Sequence, residues 1–367
     1  MSTVRCPEAS VVVQAVTFEG RESILAKQTF DLSSGSPLPD SEPMPLVGMD
    51  IFEGEPDESP VRYESDFVPF KPQADLLCVG TAWAPRSEPT GEVIVTFGVG
   101  EFEKKIRVFG ERIWQKKLLG LAHAPSSPEP FVSMPISYER AFGGRDGKYT
   151  FEANPLGRGY HRSLTGLVGK PLPNLEDPGQ PIEHWRHRPT PRGFGPVGRA
   201  WLPRRSWVGT FDKAWKKHRA PELPEDFDER FFNGAPIDQQ LGGYLCGDEE
   251  VRAINLHPEH QELRVRLPGQ RLRCLLAEAG AAMFREEIPL SCDTLWLDMD
   301  ALKLVLVWRA RLPVTGEEPD IWIVSDACSS SRPIEHWQPE LTKWRAEDGE
   351  AEEEVRLAEA ELEALEG

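Results

Sequence analysis

The sequence predicts a mainly β protein, a β-rich α+β fold in which antiparallel sheets pack like a sandwich. Short β-branched runs bounded by turn residues occur at both ends of the chain, and the centre is rich in Gly, Pro and Arg without a regular period. An acidic, helix-periodic run closes the chain. We therefore expect a β-rich domain at 1–340, comprising N-terminal strands (1–130), an irregular motif region (131–246) and C-terminal strands (247–340), followed by an acidic helical tail at 341–367.

The N-terminal strands begin with a predicted hairpin. Residues 10–18 and 22–31 are apolar and β-branched, and Glu19-Gly20-Arg21 between them is a turn signal. The same pattern predicts further strands at 75–83, 92–99 and 104–109. Residues 33–60 are rich in Ser, Pro, Gly and acidic side chains, so we expect a loop or a mobile excursion there.

The C-terminal strands are short and separated by turn residues, which is typical of an antiparallel meander. We expect them at 263–267, 271–277, 294–299, 302–309 and 321–325. Beyond residue 338, apolar side chains recur at alternating spacings of four and three amid glutamates, at Ala351, Val355, Ala358, Leu362 and Leu365. Two heptads are too few for a strong coiled coil, so this pattern predicts a short acidic amphipathic helix.

Composition narrows the function classes. The net charge of −18 argues against nucleic-acid binding over the whole surface, because phosphate affinity comes from accumulated Lys and Arg. Six cysteines are scattered singly without a CxxC pair, which favours a reduced, cytoplasmic protein. The apolar run 11–13 is broken by Gln14 and the run 304–308 is too short to cross a bilayer, so we expect neither a signal peptide nor a membrane segment.

A basic island lies inside this acidic chain. Residues 184–219 contain ten Lys or Arg against Asp212 alone, whereas residues 31–66 contain ten acidic side chains against Arg62 alone. The island could form a docking face for an acidic partner, or the chain's own acidic segments could neutralise it. The composition slightly favours internal pairing.

The central motif region reads as a fixed, irregular surface. Gly supplies backbone conformations that other residues avoid, Pro fixes φ, and Asn, Asp and Gln can satisfy the backbone groups of a long loop. Long ordered loops in compact proteins are usually functional. The residues we expect to shape these loops are Gly143, Gly144, Asn154, Pro155, Gly159, Gly193, Gly195, Pro196, Asp238 and Gln239.

The aromatic and arginine side chains of the same region are candidates for contact with a partner, because such residues dominate the centres of protein interfaces. The candidates are Tyr138, Arg140, Phe142, Arg158, Phe194, Trp201, Arg204, Arg205, Trp207 and Trp215. The alternative is that the aromatics fill the core while the arginines bridge loop carbonyls. We expect three or four of the ten to contact a partner.

The sequence contains no recognisable catalytic motif. The chain has no GxSxG elbow, HExxH, P-loop or dinucleotide fingerprint, so we assign no catalytic residue and no cofactor. A hydrolase-type enzyme would need a pocket in which Arg140, His161 and Asp238 converge. The pairs His184/His187 and His257/His260 have helix-face spacing but supply too few ligands for a metal, so we expect no metal site.

A series of motifs in fixed order carries a family resemblance. The blocks are SYERAFGG, NPLGRG, PRGFGP, WLPRR, GTFDKAW, DFDERFF, APIDQ and GDEEVRAINLHP. Between residues 11 and 309 the chain resembles the bacterial domain-of-unknown-function family 2169. That resemblance implies a cytoplasmic adaptor or chaperone of the type VI secretion system, which binds an effector or its spike-tip protein and helps load it onto the spike. It implies no catalytic centre.

Two alternatives to the adaptor remain at this point: the hydrolase-type enzyme and a purely structural β module. An adaptor should show an exposed groove or patch lined by aromatics. We also expect Arg204→Glu together with Arg205→Glu to weaken the partner complex and to leave the fold intact.

Overall fold

The computed structural model describes residues 3–56, 58–117, 122–278, 283–313, 319–330 and 332–347. Strands make up 39% of the chain and helices 11%, so the prediction of a mainly β fold is confirmed. The C-terminal helix occupies 334–347. The apolar positions that predicted an amphipathic helix, Ala351 to Leu365, lie outside the described residues.

The strands of the N-terminal third are β1 (Val4–Arg5), β2 (Val11–Phe18), β3 (Arg21–Asp31), β4 (Leu38–Pro39), β5 (Ile51–Phe52), β6 (Val61–Tyr63), β7 (Ala74–Val79), β8 (Thr81–Trp83), β9 (Glu92–Val99), β10 (Phe102–Phe109), β11 (Trp114–Lys116) and β12 (His123–Pro125). The central strands are β13 (Ser133–Pro135), β14 (Phe142–Gly143), β15 (Arg145–Asp146), β16 (Tyr149–Thr150), β17 (Arg158–Gly159), β18 (Leu175–Glu176) and β19 (Gln240–Leu241). The C-terminal strands are β20 (Glu250–Ile254), β21 (Glu262–Arg266), β22 (Gln270–Ala277), β23 (Phe284–Ile288), β24 (Ser291–Asp298), β25 (Lys303–Arg311) and β26 (Asp320–Ala327).

Helical structure is confined to short segments. The α-helix α1 spans Lys213–His218, and the C-terminal helix, here α2, begins with a 3-10 turn at Ile334–Trp337 and continues to residue 347. Further 3-10 turns occur at Pro85–Ser87, Tyr138–Arg140, Arg204–Trp207, Glu229–Phe232 and Ile237–Gln239. Apart from Pro85–Ser87, these turns lie in the irregular region, and they do not form a separate helical layer.

The largest sheet has seven strands in the order β19-β7-β24-β25-β3-β2, with β4 also paired to β3. The predicted hairpin is confirmed: Phe18 pairs with Arg21, and Glu19 and Gly20 both have positive φ (49° and 73°). Positive φ at both turn residues defines a type I′ turn, whose twist matches that of the flanking strands. β7 and β24 pair in parallel, whereas the other pairs in this sheet are antiparallel.

Two further sheets have more than two strands, and the remaining strands form two-stranded pairs. A five-stranded antiparallel sheet runs β18-β10-β9-β20-β21, and a four-stranded sheet runs β1-β26-β22-β23. The predicted C-terminal meander is therefore wrong, because β21 and β22 belong to different sheets and β24–β25 insert between β7 and β3. Every residue of β7 is buried, so this strand needs hydrogen-bond partners on both edges. It pairs with β19 and β24, which are distant in sequence, and not with its sequence neighbours.

One apolar core joins the inner faces of the three sheets, with Leu76, Phe97 and Leu276 among its members. The other face of the four-stranded sheet is covered by α2, where Leu341 is fully buried against Leu275. Burying one leucine side chain stabilises a fold by about 2 kcal/mol. Residues 341–347, predicted to begin a separate tail, thus pack as part of the domain.

The outer face of the seven-stranded sheet is covered by the segment 40–75, which includes most of the predicted loop at 33–60. Val47 in this segment is buried against Val307 of β25, so the loop packs on the sheet. Charged side chains are enclosed beneath it: the Lys27 ammonium lies 2.9 Å from the Asp66 carboxylate. Burial lowers the pKa of Lys27, and the neighbouring Asp66 opposes that shift. Lys71 and Asp75 form a second enclosed pair, and we call these two ion pairs the buried charge layer.

The predicted loop-shaping residues hold the central region in place. Gly144 has a φ of 97°, and a Cβ there would lie 2.3 Å from the carbonyl oxygen of Gly157. The fully buried Asn154 donates its side-chain amide to the carbonyls of Tyr138 (2.7 Å) and Phe142 (3.1 Å). Gln239, also fully buried, donates to the carbonyls of Leu76 and Phe194. Side-chain hydrogen bonds therefore satisfy loop carbonyls that no sheet pairs, and glycines allow the backbone segments to approach closely.

The remaining predicted loop residues divide by environment. Gly143 and Gly159 also have positive φ, and a Cβ on Gly193 would meet the ring of Tyr138 at 2.9 Å. Gly195 has only an ordinary contact, with Val79. Pro196 is buried, Pro155 is half-buried, and the exposed Asp238 pairs with Lys104.

Candidate functional site

Half of the predicted partner-contact residues lie inside the fold. Tyr138, Phe142, Phe194, Trp201 and Arg204 are each at most 8% exposed. The rings of Tyr138 and Trp201 meet edge to face with centroids 5.5 Å apart. These side chains build the core instead of a contact surface, because burying large aromatic area outweighs leaving it in water. The accessible candidates are Arg140, Arg158, Arg205, Trp207 and Trp215.

Arg204 and Arg205 are neighbours in sequence but not in environment. The Arg204 guanidinium lies 2.5 Å from the Glu64 carboxylate and donates to two loop carbonyls, with its side chain only 3% exposed. The Arg205 side chain is 50% exposed and pairs with Glu152. The expectation that charge reversal at both positions leaves the fold intact is therefore corrected, because Arg204→Glu would bury two carboxylates together.

Most arginines of the basic island pair with the chain's own carboxylates, as its composition favours. Arg192 contacts Asp238 at 2.7 Å, and Arg199 contacts Asp50 at 3.1 Å. Arg219 lies within 4 Å of Glu222 and Glu225. The lysines Lys213, Lys216 and Lys217 of α1 are exposed and make no ion pair within the described residues.

The three residues of the hydrolase alternative each have their own surroundings. Arg140 contacts Glu111 (3.1 Å), and Asp238 contacts Lys104 (2.9 Å) and Arg192. Burial lowers the pKa of His161, whose backbone carbonyl accepts a hydrogen bond from an arginine side chain. Their contacts have no residue in common. Among the described residues, no cluster of three or more His, Cys, Asp or Glu is arranged to hold a metal.

An accessible aromatic surface forms where α1 meets the loop that follows it. Asp212 caps α1 by accepting a hydrogen bond from the Trp215 backbone amide at 2.8 Å. The Trp215 indole donates to the Glu222 carbonyl (2.8 Å), which fixes the ring, and Phe211 packs edge to face on it at 4.6 Å. Phe211 remains 50% exposed. A rigid aromatic pair is thus presented to solvent.

This surface opens into a line of four grooves, which together we call the long groove. The first (about 490 Å³) lies against α1 and shares Arg219 and Pro224 with the second (about 460 Å³). The second shares Phe70 and Arg311 with the third (about 280 Å³). The third shares Pro289 with the fourth (about 340 Å³), which reaches the four-stranded sheet. The four parts of the long groove therefore adjoin one another from α1 to β22.

Aromatic and arginine side chains line the long groove, and acidic side chains accompany them in its first two parts. Its second part is lined by Phe18, Phe227 and Phe232. The Phe232 ring contacts both others, with centroids 5.9 Å from Phe18 and 5.1 Å from Phe227. At the junction with the third part, the Arg311 guanidinium lies 3.2 Å from the centroid of the Phe70 ring. Such residues combine broad contact area with charge, as interface centres do.

Several lining residues were missed by sequence reasoning, notably Phe70, Arg311 and Tyr244. They lie on a loop, at the end of a strand and beside a Gly-Gly pair, and only the tertiary fold brings them together. Only Arg311 could have been suspected from the sequence: it lies two residues after Arg309 on β25, so both arginines are on the same side of the strand. Trp215 and its block GTFDKAW were identified from the sequence.

A search against protein families matches residues 19–309 to a family described as "Uncharacterized protein conserved in bacteria (DUF2169)". No curated protein and no solved structure matches the chain. Within the described residues, every helix is too short or too polar to span a bilayer.

Proposed function

The chain belongs to the bacterial DUF2169 family, and from that premise we propose that it is a non-enzymatic adaptor that binds another polypeptide. The proposed partner is a type VI secretion effector or its spike-tip protein, held in the cytoplasm and loaded onto the spike. The motif series within the matched residues supports this choice of partner, through the resemblance described above.

The long groove is the observation that carries the proposal. It has four adjoining parts that are open to solvent, and it begins at Trp215, on which the half-exposed Phe211 ring packs. A small substrate is normally enclosed in one deep pocket, whereas an extended channel with aromatic and arginine walls fits a polypeptide segment. Stable protein complexes bury roughly 1,200–2,000 Å² in total, so we expect the partner to contact more than one part of the long groove.

Phe211→Ala tests this proposal. The Phe211 ring packs on Trp215 and is half exposed, so its removal should leave the fold unchanged. We expect the variant to bind the tip or effector protein encoded beside this chain at least about tenfold more weakly, because aromatic anchors contribute ~2 kcal/mol or more to binding. Co-purification followed by calorimetric titration measures the loss.

Tyr149→Ala is the matched control, because Tyr149 is an aromatic of similar exposure (45%) outside the long groove. It should bind like the wild type. If the full-length protein captures neither neighbouring product, the adaptor proposal fails and the structural module becomes the better reading. If capture persists undiminished in Phe211→Ala, the partner binds elsewhere on the chain.

A further inference from the structure

Charge is distributed unevenly along the long groove. Its third and fourth parts, which we call the cationic half, are lined by five basic side chains, Lys71, Arg271, Arg273, Arg309 and Arg311. Two acidic side chains, Asp293 and Glu287, line the same half. Lys71 pairs with Asp75, Arg273 with Glu287 and Asp326, and Arg309 with Asp293. The excess positive charge of the cationic half therefore comes from Arg271 and Arg311, and in a chain with a net charge of −18 it is an exception that needs a reason.

Three arginines along this stretch are incompletely neutralised. Arg21, in the second part, makes no ion pair within the described residues. Burial lowers the pKa of Arg311, Glu229 opposes that shift, and the charge of Arg21 adds to it. The nearest carboxylate oxygen to Arg311, from Glu229, is 3.6 Å away and both side chains are largely exposed. Arg271 donates to the Ser330 carbonyl and contacts no carboxylate among the described residues.

Unsatisfied donors point to the same region. The Nε atoms of Arg309 and Arg271 are buried and have no acceptor among the described residues. Arg309 is only 3% exposed, with its two terminal nitrogens already bonded to Asp293 and to the Asp66 carbonyl. A buried donor without an acceptor costs about 1–3 kcal/mol, so neither guanidinium is fully satisfied by the described residues.

We propose that the cationic half, together with Arg21 at its entrance, binds an extended acidic segment of the partner polypeptide. This inference rests on the adaptor proposal and specifies the chemistry of the bound chain. The three incompletely neutralised arginines lie in successive parts of the groove, so carboxylates spaced along one extended segment meet them in turn, which a single small anion does not. Arginine binds carboxylates through two parallel hydrogen bonds, which favours side-chain carboxylates.

Fluorescence anisotropy with a fluorescein-labelled hexaglutamate peptide tests the proposal on the full-length protein, without the partner. We expect saturable binding that weakens at least fivefold between 50 and 300 mM salt, and no binding of the hexaglutamine peptide. Arg21→Gln with Arg271→Gln should weaken hexaglutamate binding at least tenfold. The matched control Arg266→Gln removes a 75% exposed arginine of β21, outside the long groove, and should leave binding within twofold.

Equal binding of the two peptides, or equal losses in the groove and control variants, would overturn the proposal. The chain's own residues 348–367 contain nine acidic side chains and are the competing occupant. If hexaglutamate binds only to a full-length variant whose glutamates in that segment are replaced by glutamine, the site belongs to this segment and the partner assignment is wrong. If hexaglutamate does not bind but the protein still captures its partner in a Phe211-dependent way, the adaptor proposal holds and only the acidic-segment proposal fails.

Discussion

Basic side chains in the buried charge layer and in the long groove have different surroundings. Beneath the segment 40–75, Lys27 and Lys71 each contact one enclosed carboxylate, at 2.9 and 2.7 Å, and are at most 4% exposed. Along the groove, Arg21 and Arg271 have no carboxylate partner among the described residues. The first set is fixed by internal pairing, whereas the second keeps charges and donors that no carboxylate of the described residues neutralises.

This difference shows that the number of arginines in a segment does not reveal their role. Arg309 and Arg311 are two residues apart on β25, yet Arg309 is enclosed with Asp293 and Arg311 spans two parts of the groove. Enclosed pairs are costly to break because one charge is left without a partner, whereas exposed pairs contribute little. Stability measurements should therefore separate the two sets.

The largest effect is expected for Arg204→Met, which leaves the Glu64 carboxylate buried without its partner. The free energy of unfolding should fall by about 3–5 kcal/mol. Arg205→Met, next in sequence but half exposed, should cost less than about 1 kcal/mol. Urea unfolding monitored by tryptophan fluorescence gives both values. Similar losses in the two variants would show that Arg204 is not held as the structure places it.

An intermediate effect is expected for Lys104, whose ammonium contacts Asp238 (2.9 Å) and the Gln239 side-chain oxygen (2.6 Å). Burial lowers its pKa to about 8. The unfolded chain, with a lysine pKa of about 10.4, therefore binds more protons between pH 8 and pH 10, and stability gains from Lys104 as pH rises through that window.

Lys104→Met removes the titrating group, so this variant is the reference against which the pH dependence of the wild type is measured. Between pH 7 and pH 9.5, the unfolding free energy of the wild type should rise relative to that of Lys104→Met by about 1–2 kcal/mol. Urea unfolding at half-unit pH steps measures the difference. A difference that stays constant or shrinks would mean that Lys104 is not desolvated in the folded protein.

The smallest effect on stability is expected in the groove. Arg21 is exposed at the β2–β3 hairpin and makes no ion pair within the described residues, so Arg21→Gln should change the unfolding free energy by less than about 0.5 kcal/mol. Thermal unfolding checks this value. A loss comparable with that of Arg204→Met would assign Arg21 to the structural set and remove it from the proposed binding site.

Local patterns predicted the parts of this protein that depend on neighbours in sequence. The type I′ hairpin at Glu19-Gly20, the strand at β9 and the loop glycines Gly143 and Gly144 follow from turn chemistry and alternation. The motif GTFDKAW also located Trp215 at the candidate site. Exposed candidates could not be separated from core residues by sequence, since Trp201 and Trp215 are of the same type and only their burial distinguishes them.

The sequence by itself determined a mainly β chain with an irregular, glycine-shaped centre, because backbone preferences and hydrophobic periodicity act over a few residues. Only the tertiary structure decided that β24 pairs with β7 across more than two hundred residues, and that Arg204 is enclosed while Arg21 faces a groove. Strand partners and the degree of desolvation depend on which distant surfaces exclude water together. That exclusion is a property of the assembled fold and is not encoded in any one segment.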